Sequence, residues 1–126
     1  MHDSWSTRPL SGPIPRPDGE AERSNSCGDT IRIQVRLENG VVSDAACTVR
    51  GCAVALACAQ AAAALARGRT PADVLRRMTA SSLIEVLEGL PDDHEHMAEM
   101  AAETLHGAVE DALLNSREQW KKLYRT

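Results

Sequence analysis

Two short segments hold the groups that could do chemistry: Asn25-Ser26-Cys27-Gly28-Asp29 and Gly51-Cys52-Ala53. Cys27 and Asp29 stand two apart, and Gly28 lets the backbone turn tightly between them. A thiolate and a carboxylate so placed can both reach one metal ion. Cys52 follows 25 positions after Cys27. It closes a hairpin and opens a helix, where the dipole favours a reactive, metal-binding thiolate. A hairpin returns the chain, so Cys52 can come near Cys27. A CxxC pair would be a more specific sign of zinc. The spacing alone fits equally well two half-buried cysteines acting as small hydrophobes. Cys47, on the buried side of a strand, is expected to be core filler. Cys58, six residues past Cys52, faces another way round the helix and is also expected to pack. His94 and His96, two apart at a helix start, point in different directions. His94 and His106 read as surface histidines, and His2 carries no pattern.

These groups need elements to hold them. Ile31, Ile33, Val35 and Leu37 alternate with Arg32, Gln34 and Arg36, the pattern of a half-buried strand. Glu38-Asn39-Gly40 then predicts a tight turn, read as a three-residue loop with Leu37 opposite Val41. In that register Val41, Ala45, Cys47 and Val49 continue the buried face. Residues 19–24 carry a weak signal for a third, edge strand. From Cys52 the chain turns helical. Ala53–Ala66 has very high helix propensity, and Arg67-Gly68 closes it. Thr70-Pro71-Ala72-Asp73 restarts a helix with an N-cap, a first-position proline and an acid in the first turn. Ser81 or Ser82 is expected to cap a short helix through Leu87, stopped by Gly89 and Pro91. Residues 92–123 read as one long helix, with Met97, Met100, Ala101, Leu105, Ala108, Val109, Ala112 and Leu113 on its apolar stripe. The elements read as strand, hairpin, then helices, an α+β order.

Composition narrows the classes. The 126 residues suit one domain. We divide them into an extended arm over 1–18, with Pro9, Pro13, Pro15 and Pro17, a folded domain over 19–115, and a helix end and tail over 116–126. The net charge is −4, with no basic stripe for phosphates, and Trp5, Trp120 and Tyr124 are the only aromatics, too few for a base-stacking platform. No nucleic-acid partner is expected. The apolar run from Gly51 to Ala66 falls short of the roughly 20 residues a bilayer span needs, and the start of the chain has no apolar signal core. The expected location is cytoplasmic, where four cysteines point to metal or thiol chemistry sooner than to disulfides. No Lys or Arg lies between Met78 and Ser116, while acids recur from Glu85 to Asp111, which reads as a solvated helix face. Neither a P-loop nor a dinucleotide fingerprint is present.

Asn25-x-Cys27-Gly28-Asp29, a hairpin ending Asp44-Ala45, and then Gly51-Cys52-Ala53-Val54-Ala55 resemble the NifU/IscU/SufU family of iron–sulfur assembly scaffolds. The resemblance covers about residues 19–115 and implies an α+β fold, a small antiparallel sheet with helices packed on one face. It continues through Gly68-Arg69-Thr70 and through Leu90-Pro91 ahead of the last helix. It implies three cysteines and one aspartate at the site. Cys27, Asp29 and Cys52 match three of the four. The family's register puts Met97 where the third cysteine belongs, and His96 stands just before it. The resemblance therefore implies a metal set of Cys27, Asp29, Cys52 and His96, with Cys27 and Cys52 as sulfur acceptors; Met97, a neutral thioether on the apolar stripe, reads as a helix-core residue.

Two thiolates, an imidazole and a carboxylate suit tetrahedral Zn²⁺. They suit a [2Fe–2S] cluster less well, because a hard carboxylate is a poor match for cluster iron, and such weak ligation fits a labile cargo. The implied function is cluster assembly, as a scaffold or a sulfur acceptor, and if an enzyme then a sulfurtransferase, with a cysteine desulfurase and apo iron–sulfur clients as partners. The IscU-branch segment that an Hsp70-type chaperone recognises is replaced by Leu90-Pro91-Asp92-Asp93-His94, which weakens the expectation of that partner. The alternatives are a zinc-dependent sulfurtransferase of the SufU kind and a degenerate relative whose zinc is only structural.

Overall fold

The computed structural model describes residues 17–26, 28–87 and 95–124. Three strands, β1 (Gly19–Ser24), β2 (Thr30–Glu38) and β3 (Val41–Arg50), form an antiparallel sheet in the order β1-β2-β3. Four helices follow: α1 (Ala53–Ala66), α2 (Pro71–Arg77), α3 (Ala80–Val86) and α4 (Glu95–Tyr124). The alternation seen in the sequence governs the sheet. Ile31, Ile33 and Val35 are fully buried on the helix side, while Arg32 is exposed on the other. The fold is α+β, with the helices against one face of the sheet, as expected.

The hairpin corrects the expected turn. Asn39 and Gly40 both take positive φ, 54° and 80°, which makes a two-residue turn of the primed kind. Glu38 faces Val41 and Leu37 faces Val42, not Val41. A plain continuation would set Asp44 against Val35. A bulge between Arg36 and Leu37 prevents this: Ser43 is the extra residue, Arg36 faces Asp44 and Val35 faces Ala45. Val42, not Val41, is therefore the buried residue at the hairpin tip. The Asn-Gly preference for a twisted turn and the hydrophobic register are both satisfied, at the expense of one unpaired residue.

The weak third strand is real. β1 pairs along β2 from Gly19 opposite Val35 to Ser24 opposite Thr30. It lies directly on α4: a Cβ at Gly19 would meet the Ala108 carbonyl oxygen at 2.2 Å. Asp111, on α4, accepts the Glu20 N–H at 3.1 Å, so one acid of the run serves the sheet edge. Among the described residues the core is built without aromatics. Its largest fully buried side chains are Ile31, Ile33, Leu83 and Leu105, set among the alanines of α1 and α4. Small residues let helix and sheet backbones approach closely, which substitutes contact for bulk.

The helix ends follow local chemistry. Thr70 accepts the Asp73 N–H at 3.1 Å and caps α2. The cap of α3 is Thr79, not Ser81 or Ser82, with Ser82 completing a reciprocal capping box. The stop expected at Gly89 and Pro91 lies outside the described residues. α1 ends at Ala66, and Arg67 turns back to pair with Asp44 of β3 at 2.6 Å. Gly68 donates to the Val42 carbonyl and Val42 to the Arg69 carbonyl, both at 2.8 Å, so the far end of α1 is sewn to the hairpin. That fixes where α1 begins, and its beginning is the site.

Candidate metal and sulfur site

The two sequence segments meet at one end of the sheet. Thr30 pairs with Arg50, so the residues before β2 and after β3 are neighbours. Asp29 stands just ahead of β2 and is 9% exposed. Its Oδ1 accepts the backbone N–H of Cys52 at 3.1 Å, across 23 residues of chain. Gly51 makes this approach possible. It has φ 146°, and a Cβ there would lie 2.1 Å from Asp29 Oδ1. Cys52 is exposed and caps α1, its Sγ accepting the Ala55 N–H at 3.4 Å.

Asn25 closes the other side. Its backbone N–H donates to the Asp29 carbonyl at 3.0 Å, and its Oδ1 accepts the Asp29 N–H at 2.9 Å. Its Nδ2 donates to Asp29 Oδ2 at 3.1 Å. The Gly28 N–H donates to the Asn25 carbonyl at 3.2 Å. The same Nδ2 stands 3.9 Å from Met97 Sδ, a weak contact that joins this loop to the first turn of α4. Cys27, between these residues in sequence, lies outside the described residues, as does His94.

Met97 is 3% exposed and belongs to the core, as a helix methionine should. His96, one residue earlier, is exposed. Among the described residues no three His, Cys, Asp or Glu side chains converge on a point where a metal ion would sit. The structure therefore joins Asp29 to Cys52 directly and does not gather Asp29, Cys52 and His96 as a preformed triad. His106 is half-buried and donates from Nε2 to the Met78 carbonyl at 2.6 Å, which ties α4 to the end of α2. Cys47 and Cys58 are buried, and burial pushes each thiol up to about 11. For Cys58 the nearby Cys52 sulfur adds a smaller push in the same direction. Both stay protonated at neutral pH, which suits core filler and not ligands.

Sequence reasoning placed Asp29 and Cys52 in the site. Asn25 and Gly51 are motif members to which the sequence alone assigns no role. Asparagine ahead of a glycine-containing turn is the signal for the first, since its side chain readily bonds nearby backbone.

Comparison with known proteins follows the same lines. The family model of the NifU-like N terminal domain matches residues 12–118. Iron-sulfur cluster assembly scaffold protein IscU 1 of Archaeoglobus fulgidus is 32% identical over 101 residues, covering 79% of this chain and 65% of the relative. The scaffold protein IscU of Aquifex aeolicus is 32% identical over 91 residues, 71% of this chain and 57% of the relative. The chain thus spans less than two thirds of the length of these relatives. Among solved structures, a NifU-like protein (N-terminal) from Brucella abortus superposes with a TM-score of 0.65 at 17% identity, covering 86% of this chain and 88% of that one. A protein described as an iron–sulfur cluster assembly scaffold for the SUF system of Fervidobacterium islandicum gives a TM-score of 0.64 at 19% identity, covering 79% of this chain and 86% of that one.

Proposed function

Since this chain belongs to the NifU-like N-terminal domain family, we propose that it is a scaffold on which an iron–sulfur cluster is assembled and from which it is passed on. The observation that carries this reading is the bond between Asp29 Oδ1 and the Cys52 N–H, which brings the two halves of the motif together. In this reading the cluster is cargo. Cys27, Cys52, Asp29 and His96 are its ligands. His96 supplies the fourth group because Met97, the neighbouring residue, is buried and offers only a neutral thioether. His96 is exposed in the first turn of α4, so it reaches the site by side-chain or helix-end movement as the ligands close.

The donor set also accommodates Zn²⁺, which would take two thiolates, one imidazole and one carboxylate in a tetrahedron. The exposure of Cys52 gives sulfur delivery a route. Its thiolate attacks the outer sulfur of a desulfurase persulfide, the S–S bond breaks, and the desulfurase cysteine leaves as a thiolate. Cys52 then carries the persulfide.

The test is metal and sulfide analysis of protein purified without oxygen, beside Cys27→Ser, Cys52→Ser and His96→Ala. Stoichiometric iron and sulfide in the wild type, lost in all three variants, is the expected result. Zinc without sulfide would move the reading to a zinc-dependent sulfur carrier. Metal retained in His96→Ala would remove histidine from the ligand set.

A further inference from the structure

The scaffold reading makes Asp29 a ligand, yet both of its oxygens are already engaged by the chain. Oδ1 takes the Cys52 N–H and Oδ2 takes the Asn25 carboxamide, each at 3.1 Å. Asp29 as a residue is 9% exposed. We propose that Asn25 is a lock on Asp29, a positioning residue that holds the carboxylate between the two loops and competes with the metal for Oδ2.

The geometry of Asn25 suits this role. Its Oδ1 and backbone N–H close the loop onto the Asp29 backbone, and that half of the residue is structural. Its Nδ2 is the half that touches the reacting group. A hydrogen bond from an amide to a carboxylate draws electron density from the oxygen and fixes the plane of the group. A metal taking Oδ2 must displace or share that donor. The amide has a second direction in which to turn, toward Met97 Sδ at 3.9 Å. Released from Asp29, it need not be left without a partner. The lock thus makes a weak ligand weaker, which suits a site that must surrender its metal. The inference rests on the reading that Asp29 is a ligand, and the experiment separates the two.

The metal-free chain of 126 residues is titrated with Co²⁺ as the probe, following thiolate-to-metal absorption, for the wild type, Asn25→Ser, Asp29→Ala and the double variant. Serine keeps an acceptor for the Asp29 N–H but is too short to donate to Oδ2. The expected result is Co²⁺ bound about tenfold more tightly by Asn25→Ser, the order of one hydrogen bond to a charged group. In the Asp29→Ala background the same substitution is expected to change nothing. A purely structural role for Asn25 would loosen binding instead. Unchanged or weaker binding in Asn25→Ser, with Asp29→Ala weakened, overturns the lock and leaves Asp29 a ligand. Equal binding by the wild type and Asp29→Ala overturns the ligand assignment and the lock with it. If the serine variant unfolds, the wild type decides: Zn²⁺ should shift the Asn25 carboxamide signals in an NMR spectrum and not do so in Asp29→Ala. Signals that ignore Zn²⁺ overturn the proposal.

Discussion

Asp29 and Gly51 form a pair in which one residue's function depends on the other's lack of a side chain. Gly51 is held at φ 146°, where L residues are strained, and any Cβ would fall 2.1 Å from Asp29 Oδ1. An alanine there therefore pays twice: backbone strain of about 2 kcal/mol, and expulsion of the carboxylate from its bond to the Cys52 N–H. Gly51→Ala should lower the unfolding free energy by at least that amount in a urea titration, and should bind metal no better than Asp29→Ala. A variant that is destabilised yet binds metal like the wild type would detach Gly51 from the site. Met97 presents the opposite case. Its position is buried and its sulfur already faces an amide donor. Met97→Cys would put a thiol where the resemblance described above implies a third cysteine, with Asn25 Nδ2 nearby to stabilise its thiolate. Anaerobically purified Met97→Cys is expected to retain more iron and sulfide than the wild type. Equal or lower loading would mean that this site has been rebuilt around the thioether.

At the scale of elements, the hairpin and the helix caps place the chemistry, and they were legible to different degrees. The alternation in β2 and the Thr70-Pro71 helix start are local signals and appear where the sequence put them. The turn at Asn39-Gly40 differs from the three-residue loop that strand pairing alone predicts. The bulge that reconciles the turn with the register depends on both strands at once, so no single stretch announces it. The cap at Thr79 was displaced by two or three residues for a similar reason, since Ser82 is its partner in the capping box and not the cap. At the site, Asp29 and Cys52 were visible as chemistry-bearing types, whereas the Asn25 lock emerges only from the folded loop. The buried cysteines of β3 and α1 give these elements a titration signature. Their thiols are raised to about 11 when folded, against about 8.5 in an unfolded chain. A raised folded value means that their contribution to stability is fully present below the unfolded value. It is lost as pH climbs toward 11. Stability by denaturant titration should fall between pH 8.5 and 11 more steeply in the wild type than in a Cys47→Ala/Cys58→Ala variant. Parallel slopes would show that the two thiols titrate alike in both states. At pH 7.5, iodoacetamide should label Cys52 in the native chain and spare Cys47 and Cys58.

At the scale of the molecule, the question is whether a metal builds the fold or merely visits it. The core joins β2, β3 and the inner faces of α1, α2, α3 and α4, and of the described residues around the site Met97 and Ala55 belong to it. Asp29 and Cys52 sit at its rim, where β2 begins and α1 starts. The fold is closed by contacts elsewhere: the Arg67–Asp44 pair, the bonds of Gly68 and Arg69 to Val42, and the seating of β1 on α4. None of these passes through the site, so removing a metal should cost only its binding free energy. Chelation of the loaded protein is expected to leave the far-ultraviolet circular dichroism unchanged at 25 °C. The unfolding midpoint should fall by an amount that grows with the free metal concentration used beforehand. A small zinc module whose structure depends on its metal behaves otherwise, losing helicity as the chelator acts. Loss of helicity here would mean that the rim holds the core together, and the site would then be structural first and a scaffold second. Preserved helicity with a released metal is what a carrier requires, because a protein that hands on its cargo must remain folded without it.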